Sequence, residues 1–378
     1  MPLRGETRPG TTERLYKLSA MTDIDDIRFG REGGVATVLL NRPQALNAFT
    51  LGMYRRFDPM LRAWADDPSV ATVLIRGAGE RAFCAGGDVR AVYEAGRGVA
   101  GERDLTSRFF WEEYELIRRI HRYPKPYVAI LDGITMGGGA GVSVNGAYRV
   151  ATERTMLAMP ETGIGLFPDV GATRFLTLAP GRIGRYLGLI GARLGAADAL
   201  YCGFATHFLP RERLPELAAR LARCTAPAEV EGVLAALAAD PGPAPLRDRQ
   251  AAIERCFAGG TVETIVAALA REAASGSAAA DWAAEAGAAL AGKSPTGLKV
   301  TLRQLTEGCG FSLEQALILE YRLTQHFMAG HDFYEGIRAA LVDRDRNPRW
   351  HPATLAEVGE ALVEAHFAPL GASELRFD

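Results

Sequence analysis

The sequence predicts an α/β fold with a long helical C-terminal region. Short apolar, β-branched runs alternate with segments of helical spacing in the first half of the chain, as in repeated strand and helix units. Glycine-rich turns follow several of these runs, where a buried strand would end. Residues 214–290 are rich in alanine and carry apolar positions at helical period. In such a fold we expect the functional site along the ends of the strands.

The first predicted unit is a strand, a helix and a second strand. Val35–Leu40 is apolar and β-branched, which is typical of a strand. Residues 53–64 place methionine, phenylalanine, leucine and tryptophan at helical spacing. A second apolar run contains residues 73–75 and stops at Arg76-Gly77. This order, ended by a glycine turn, is the first of the repeated units.

Later units also place glycines between strands and helices. Residues 79–88 form a glycine turn before a helix predicted from Val89, and residues 105–122 have helical spacing. Tyr127–Leu131 has the apolar character of a buried strand. Residues 139–148, GAGVSVNGAY, continue a glycine turn and are small and apolar enough for a tightly packed helix. The first N–H groups of such a helix have no intrahelical acceptor, so they suit a developing negative charge on oxygen.

Two acids, Glu161 and Asp169, lie in otherwise apolar sequence next to Pro160 and Pro168. Ionised carboxylates are costly to bury unless a partner or a reaction requires them. A structural interpretation is that Glu161 caps a turn and that Asp169 caps a helix starting near Val170. On these residues alone, catalysis and capping are equally supported.

Composition excludes several classes of protein. The chain has 378 residues, enough for two domains or for one large domain with a decorated tail. Its 48% hydrophobic and 23% charged residues are those of a soluble globular protein, and its net charge of −2 gives no reason to expect nucleic acid or a membrane as a partner. The five cysteines form no CxxC pair and the six histidines no HExxH motif, so we expect no disulfide framework, no metal and no redox cofactor.

The chain is expected to divide into three parts. Residues 1–22 are polar and lack the apolar segment of a secretory signal, so they are predicted to be a disordered extension. Residues 23–215 contain the strands, the glycine turns and both acids, and are predicted to be the core with the active site. Residues 216–378 are predicted to be a helical region that covers this core.

Three motifs occur in order: AFCAGGD, KPYVAILDGITMGGGAG and MPETGIGLFPDVG. Together they resemble the crotonase (enoyl-CoA hydratase/isomerase) superfamily. The resemblance implies a spiral of ββα units that binds an acyl-CoA thioester. By position it also implies that the backbone N–H groups of Gly87 and Gly138 form an oxyanion hole for the thioester carbonyl. Hydratases of this superfamily carry two catalytic glutamates, and the first of those positions is Gly141 here, which argues against hydration.

Asp169 in FPDVG gives a narrower resemblance, because it is similar to the 3-hydroxyisobutyryl-CoA hydrolases of valine breakdown. This resemblance covers most of residues 25–378. It implies Glu161 and Asp169 as the catalytic pair, and Glu113 and Gly138 as positions that contact the substrate. The implied reaction is hydrolysis of the thioester, in which CoA is part of the substrate and no separate cofactor takes part.

Several alternatives stay open at the level of sequence. Arg90 occupies a position where superfamily members often have a phosphate-binding lysine, but it is equally well interpreted as a solvated helix residue. The protein is alternatively an enoyl-CoA hydratase/isomerase, or a non-catalytic CoA-binding protein. It is expected either to form a homo-oligomer, as crotonase relatives commonly do, or to cover its core within one chain. The abundance of Ala, Arg and Gly favours a bacterial cytoplasmic enzyme, and a eukaryotic source would imply the mitochondrion.

Overall fold

The computed structural model of the protein describes residues 26–102 and 104–377. The predicted extension, residues 1–22, lies outside the described residues. Within the two described ranges, no helix has the length and apolar character needed to span a bilayer. The same ranges contain no group of three or more His, Cys, Asp or Glu side chains arranged to hold a metal ion.

The strands form a larger and a smaller sheet. In the described residues they are β1 (Ile27–Glu32), β2 (Val35–Leu40), β3 (Thr72–Gly77), β4 (Ala82–Cys84), β5 (Tyr127–Leu131), β6 (Ile134–Met136), β7 (Tyr148–Ala151), β8 (Met156–Ala158) and β9 (His207–Phe208). The larger sheet has the order β1-β2-β3-β5-β7-β9, and the smaller sheet has the order β4-β6-β8. Every neighbouring pair is parallel except the antiparallel pair β1 and β2.

Helices alternate with the strands at first and then make up the C-terminal part. Those between the strands are α1 (Leu51–Asp66), α2 (Val89–Gly96), α3 (Leu105–His121), α4 (Gly138–Val144), α5 (Ala172–Thr177), α6 (Ile183–Ile190) and α7 (Ala196–Tyr201). Those after β9 are α8 (Leu214–Ala222), α9 (Glu229–Leu237), α10 (Pro245–Cys256), α11 (Val262–Ala273), α12 (Ala280–Ala291), α13 (Pro295–Glu307), α14 (Leu313–Ala329), α15 (Asp332–Ile337) and α16 (Glu360–Phe367).

From β3 to β9 the chain alternates between the two sheets. β3, β5, β7 and β9 belong to the larger sheet, and β4, β6 and β8 belong to the smaller one. Helices α2 and α3 follow β4, α4 follows β6, and a short 3-10 helix (Glu161–Ile164) with α5 follows β8. Each turn of the chain is therefore a ββα unit, which confirms the predicted spiral and the α/β fold class.

The smaller sheet brings distant parts of the sequence together. Its strands are parallel neighbours, with Cys84 paired to Thr135 and Met136 paired to Ala158. The carboxyl ends of β4, β6 and β8 consequently meet at one edge, which we call the exit edge. Gly87, the glycines after Met136 and Glu161 all follow directly from this edge, although they are far apart in sequence.

One predicted helix is too long. Residues 139–148 were expected to be helical, but α4 ends at Val144 and Tyr148 begins β7. Two tertiary interactions override the helical tendency. The Asn145 side chain donates to the Gly141 carbonyl and to a carbonyl of a later turn, and Tyr148 pairs with β5 in the larger sheet. The strands predicted at Val35–Leu40 and Tyr127–Leu131 have the expected bounds.

The helical C-terminal part packs on two faces of the spiral. Helices α8 and α9 bury leucines against one face of the larger sheet. Helices α10 to α14 share a single apolar core with β1, β2, α1 and α3. The predicted boundary at residues 215/216 falls inside α8, and the division into a core and a covering region stays a prediction. The contacts place α13 and α14 against α5, next to the exit edge.

Candidate active site

The two glycine turns place the N–H groups of Gly87 and Gly138 side by side. Gly138 is the first residue of α4, where an N–H has no intrahelical acceptor. Within the described residues, neither N–H donates to a protein acceptor. A Cβ atom built on Gly138 would lie 3.2 Å from the Gly87 nitrogen and 2.5 Å from Oε1 of Glu113. A side chain at residue 138 would therefore require the Glu113 carboxylate to shift.

Backbone pairing fixes the first of these turns. Phe49 donates its N–H to the Gly86 carbonyl at 2.9 Å and accepts from the Asp88 N–H at 2.7 Å. Gly86 has φ +121°, a backbone conformation that glycine adopts without strain. Asp88 caps α2 through the Ala91 N–H and forms an ion pair with Arg42 at 3.0 Å. The Gly87 N–H is thus held in place before any ligand binds.

Glu161 is buried beside the second glycine turn. Glu161 is 5% exposed, and a Cβ atom built on Gly137 would lie 3.2 Å from Oε1 of Glu161. The other oxygen, Oε2, is buried without a hydrogen-bond partner among the described residues. Burial raises the pKa of Glu161 well above its ordinary value, the charge of Asp169 raises it further, and Lys293 opposes the shift.

Asp169 lies against the helix α3. Its Oδ2 atom accepts a hydrogen bond from the Tyr114 hydroxyl at 2.7 Å. Burial raises the pKa of Asp169 to about 6, although the bond from Tyr114 lowers it. No side chain caps the short helix that starts at Glu161, and α5 starts after Gly171 without a side-chain cap. The capping alternative for the two acids is therefore wrong.

Glu113 is the third carboxylate of the site. It is 2% exposed on α3 and accepts from the Tyr54 hydroxyl at 2.5 Å. Burial raises the pKa of Glu113 well above its ordinary value, and the nearby Asp169 adds to this effect. The adjacent Glu112 differs, because it forms a surface ion pair with Arg55. Of this acidic pair, only Glu113 is turned into the interior.

These groups meet in one small cavity of about 90 Å³. It is lined by the five sequence-predicted residues that the structure brings together: Gly87, Gly138, Glu113, Glu161 and Asp169. Its apolar walls include Phe109, Phe110, Ile164, Leu166 and Val170. Electrostatic interactions are stronger in such an environment than in water, so the N–H groups and the carboxylates would act strongly on a carbonyl group placed there.

Gly141 is enclosed by apolar side chains. A Cβ atom built there would lie 2.7 Å from Cβ of Val170 and 2.8 Å from Cδ1 of Ile117. Such distances leave no room for a glutamate unless the surrounding packing shifts. The chain therefore has no carboxylate at the position where the resemblance to hydratases would require one.

Arg90 does not line this cavity. It forms an (i, i+4) ion pair with Glu94 at 2.9 Å on α2, and its side chain is 54% exposed. This contact agrees with the interpretation of Arg90 as a solvated helix residue. A contact between Arg90 and a CoA phosphate stays a prediction.

Two tyrosines in the site were not identified from the sequence. Tyr54 and Tyr114 are both buried and each donates its hydroxyl to a carboxylate of the site. Tyr114 directly follows Glu113 in the motif WEEY, which is the one local signal for it. Tyr54 has no such signal, because its partner lies 59 residues away in the chain.

Comparison with known protein families gives one assignment for most of the chain. The family model described as enoyl-CoA hydratase/isomerase matches residues 35–367. The chain belongs to the enoyl-CoA hydratase/isomerase family. Membership of this family identifies an acyl-CoA as the substrate class, and it accounts for the ββα spiral with two glycine turns at its exit edge.

Individual members of the enoyl-CoA hydratase/isomerase family give a finer comparison. A relative from Danio rerio named "3-hydroxyisobutyryl-CoA hydrolase, mitochondrial" is 47% identical over 93% of this chain and 91% of its own length. A solved structure from Mycobacterium thermoresistibile, described as a carnitinyl-CoA dehydratase, is 44% identical with a TM-score of 0.86, over 94% of this chain and 99% of that one. A structure from Rhodobacter sphaeroides, described as an enoyl-CoA hydratase, is 41% identical with a TM-score of 0.84, over 93% and 100%. The three descriptions name different reactions, so the residues of the site have to distinguish them.

Proposed function

We propose that the protein is an acyl-CoA thioester hydrolase that converts 3-hydroxyisobutyryl-CoA and water to 3-hydroxyisobutyrate and CoA. The observation that carries the proposal is the position of Glu161 and Asp169, two buried carboxylates in the cavity that the Gly87 and Gly138 N–H groups also line. The relative from Danio rerio, whose name states this activity, supports it.

The thioester carbonyl binds between the two glycine turns. Its oxygen accepts hydrogen bonds from the N–H groups of Gly87 and Gly138. When a nucleophile adds to the carbonyl carbon, negative charge develops on this oxygen, and both donors are already in position to stabilise it. No rearrangement of the turns is required, because backbone pairing holds the first turn and α4 holds the second.

Glu161 promotes the addition by one of two routes. In the first, its carboxylate attacks the carbonyl carbon, the C–S bond breaks, and water then hydrolyses the resulting mixed anhydride. In the second, Glu161 removes a proton from a water molecule, which attacks the carbonyl directly. Both routes give the same products, the free acid and CoA, and both need a carboxylate beside the carbonyl carbon.

Asp169 orients the substrate hydroxyl or the attacking water and helps to protonate the leaving CoA thiolate. Two carboxyl groups in one apolar cavity do not readily ionise together, so the pair retains one proton over a range of pH. Hydrolysis uses both forms, because one group has to accept a proton from water while another supplies a proton to sulfur. Burial raises the pKa of both Glu161 and Asp169, so the pair keeps a proton at higher pH than two exposed carboxyl groups would.

The alternative reactions leave part of the site without a role. Hydration requires two catalytic glutamates, and one of them is missing, since residue 141 is a glycine packed against Val170. Isomerisation or dehydration needs Glu161 as a base but does not need Asp169. A non-catalytic CoA-binding protein needs neither acid. The hydrolase is the function that uses both.

We also propose a bacterial cytoplasmic location, supported by the abundance of Ala, Arg and Gly. For a eukaryotic source, the name of the Danio rerio relative supports the mitochondrion. Assembly into a homo-oligomer stays a prediction, and sedimentation velocity of the purified chain tests it.

The first experiment measures release of free thiol from 3-hydroxyisobutyryl-CoA, 3-hydroxypropionyl-CoA and crotonyl-CoA. We expect rapid release from the two hydroxyacyl substrates by the wild type and only a slow, measurable residual release in Asp169→Asn. If crotonyl-CoA is hydrated or isomerised and no thiol is released, the hydrolase proposal is wrong and the protein is a hydratase or isomerase of the same family. If none of the three substrates reacts, the alternative of a CoA-binding protein is favoured.

A further inference from the structure

The turn that carries Asp169 has an unusual backbone. Val170 has φ +58° and Gly171 has φ +89°. A positive φ is common for glycine but costs free energy for a β-branched residue such as valine. Such a conformation persists only where surrounding contacts enforce it, so the residues that hold this turn also determine where Asp169 points.

The contacts that enforce it come largely from the helical C-terminal part. Glu320 on α14 is fully buried, and its two oxygens accept hydrogen bonds from the backbone N–H groups of Gly171, at 2.6 Å, and Thr173, at 2.8 Å. Gln304 on α13 donates to the Pro168 carbonyl at 2.7 Å. The main chain is thus held on both sides of Asp169, by residues more than 130 positions later in the sequence.

A carboxylate at residue 320 is a costly choice for structure alone. None of the ion pairs among the described residues includes Glu320, and its removal from water without a cation raises its pKa to about 8. A neutral glutamine could accept from one of the two N–H groups, but its amide nitrogen would face the other. The N–H groups of Gly171 and Thr173 require two acceptor oxygens at a fixed separation. The carboxyl group of Glu320 supplies both.

We infer that Glu320 is a positioning residue for the hydrolysis: its two backbone hydrogen bonds hold the turn at residues 170–171 and thereby direct the Asp169 carboxylate toward the reacting thioester. This role rests on the proposed function, in which Asp169 acts on the substrate. Tyr114 holds the carboxylate itself, whereas Glu320 holds the backbone from which that side chain extends. Glu320 does not line the cavity, so it does not touch the substrate and acts through the turn that carries Asp169.

A double-mutant cycle of Glu320→Gln and Asp169→Asn tests this role by the kcat and KM of thiol release. We expect Glu320→Gln to lower kcat by roughly 10- to 100-fold, the effect of misplacing a reacting group, while KM changes by less than about threefold. In the Asp169→Asn background the same substitution should lower kcat by less than about threefold, because it acts through a carboxylate that is already absent.

A matched control is available in Asp198→Asn. Asp198 is also a buried carboxyl that accepts from a backbone N–H, that of Leu246, at the start of the helix α10, and it does not line the cavity. We expect Asp198→Asn to lower the melting temperature without changing kcat. A kcat loss of the same size in this control would mean that the effect of Glu320→Gln is general destabilisation.

Three outcomes are distinguishable. Equal losses from Glu320→Gln in both backgrounds overturn the inference and leave the proposed function intact. A wild type that releases no thiol overturns the proposed function and the role of Glu320 with it. If Glu320→Gln does not fold, Glu320→Asp provides the same cycle, since it keeps the carboxyl group but withdraws both oxygens by one methylene group. If Glu320→Asp lowers kcat equally in the wild type and in the Asp169→Asn background, the inference is likewise overturned.

Discussion

The proposed active site has two halves that are held in place by different means. The oxyanion half is Gly87 and Gly138, and the acidic half is Glu161 and Asp169. Gly87 and Gly138 contribute backbone N–H groups that directly follow β4 and β6, so the geometry of the smaller sheet positions them. Asp169 lies on a strained turn that is held by Asn145, directly after α4, and by side chains from α13 and α14. The oxyanion half depends on short segments near the exit edge, whereas Asp169 in the acidic half depends on contacts from distant parts of the chain. Substitutions should therefore affect the two halves in different ways.

The largest loss is expected within the acidic half, from Glu161→Gln. Replacing the carboxylate removes both the nucleophile and the base of the proposed reaction, so kcat should fall by about a thousandfold or more. Thiol release from 3-hydroxyisobutyryl-CoA measures it. Glu112→Gln is the control, since it removes a surface carboxylate paired with Arg55 and should retain full activity. Substantial hydrolysis by Glu161→Gln would contradict both proposed routes.

The oxyanion half is tested by Gly138→Ala. The added methyl group would occupy the space between the Gly87 nitrogen and Glu113, so the carbonyl oxygen could no longer reach both donors. We expect kcat to fall by roughly 100- to 1000-fold, as for loss of one oxyanion donor. Gly287→Ala is the matched control, because no atom lies within 4 Å of its added methyl group. Equal activity of the two variants would remove Gly138 from the site.

The pH dependence of kcat tests the link between Tyr114 and Asp169. The pair is active when it shares one proton, so activity should decline as the pH falls through the Asp169 pKa of about 6 and both carboxyl groups become protonated. Tyr114→Phe removes a hydrogen bond that lowers this pKa. The decline should therefore begin at higher pH, by roughly half to one unit.

The control for this profile is Tyr123→Phe. Tyr123 donates to the Leu61 carbonyl, away from the carboxylates, and its removal should leave the profile unchanged. A profile that stays in place in Tyr114→Phe, or that moves to lower pH, would show that the acidic decline does not report Asp169.

The smallest effect is expected outside both halves, from Arg90→Ala. If Arg90 contacts a CoA phosphate as predicted, KM should rise by about 3- to 10-fold at unchanged kcat, which corresponds to about 1 kcal/mol of binding free energy. Arg62→Ala removes a similar exposed (i, i+4) ion pair, with Asp58 on α1, and should leave KM unchanged. Identical KM values for the two variants would limit Arg90 to its ion pair with Glu94.

The oxyanion half and Glu161 could be predicted from the sequence because each is part of a short motif. The motifs around Gly87, Gly138 and Glu161 resemble the crotonase superfamily, and this resemblance, rather than the residues alone, assigned them to the site. The strands β2 and β5 were also predictable, since each is an uninterrupted apolar run.

The supporting contacts could not be predicted in the same way. Tyr54 and Glu320 lie on helices among apolar residues, where a tyrosine or a glutamate has the same local pattern whether it holds a carboxylate, holds a turn or faces solvent. The end of α4 at Val144 depends on pairing between β5 and β7, which no local pattern contains. Interactions between distant residues determine these features, and a single sequence does not record them.

The distance between Gly171 and Glu320 along the chain also has a consequence for synthesis. The two residues are 149 positions apart, and chains are made from the N-terminus at about 5–20 residues per second. Both glycine turns and Glu161 leave the ribosome well before α13 and α14 do. A growing chain can thus form both glycine turns early, but it cannot hold Asp169 in place until α13 and α14 have been made. We expect nascent chains to gain hydrolytic activity only near the end of translation.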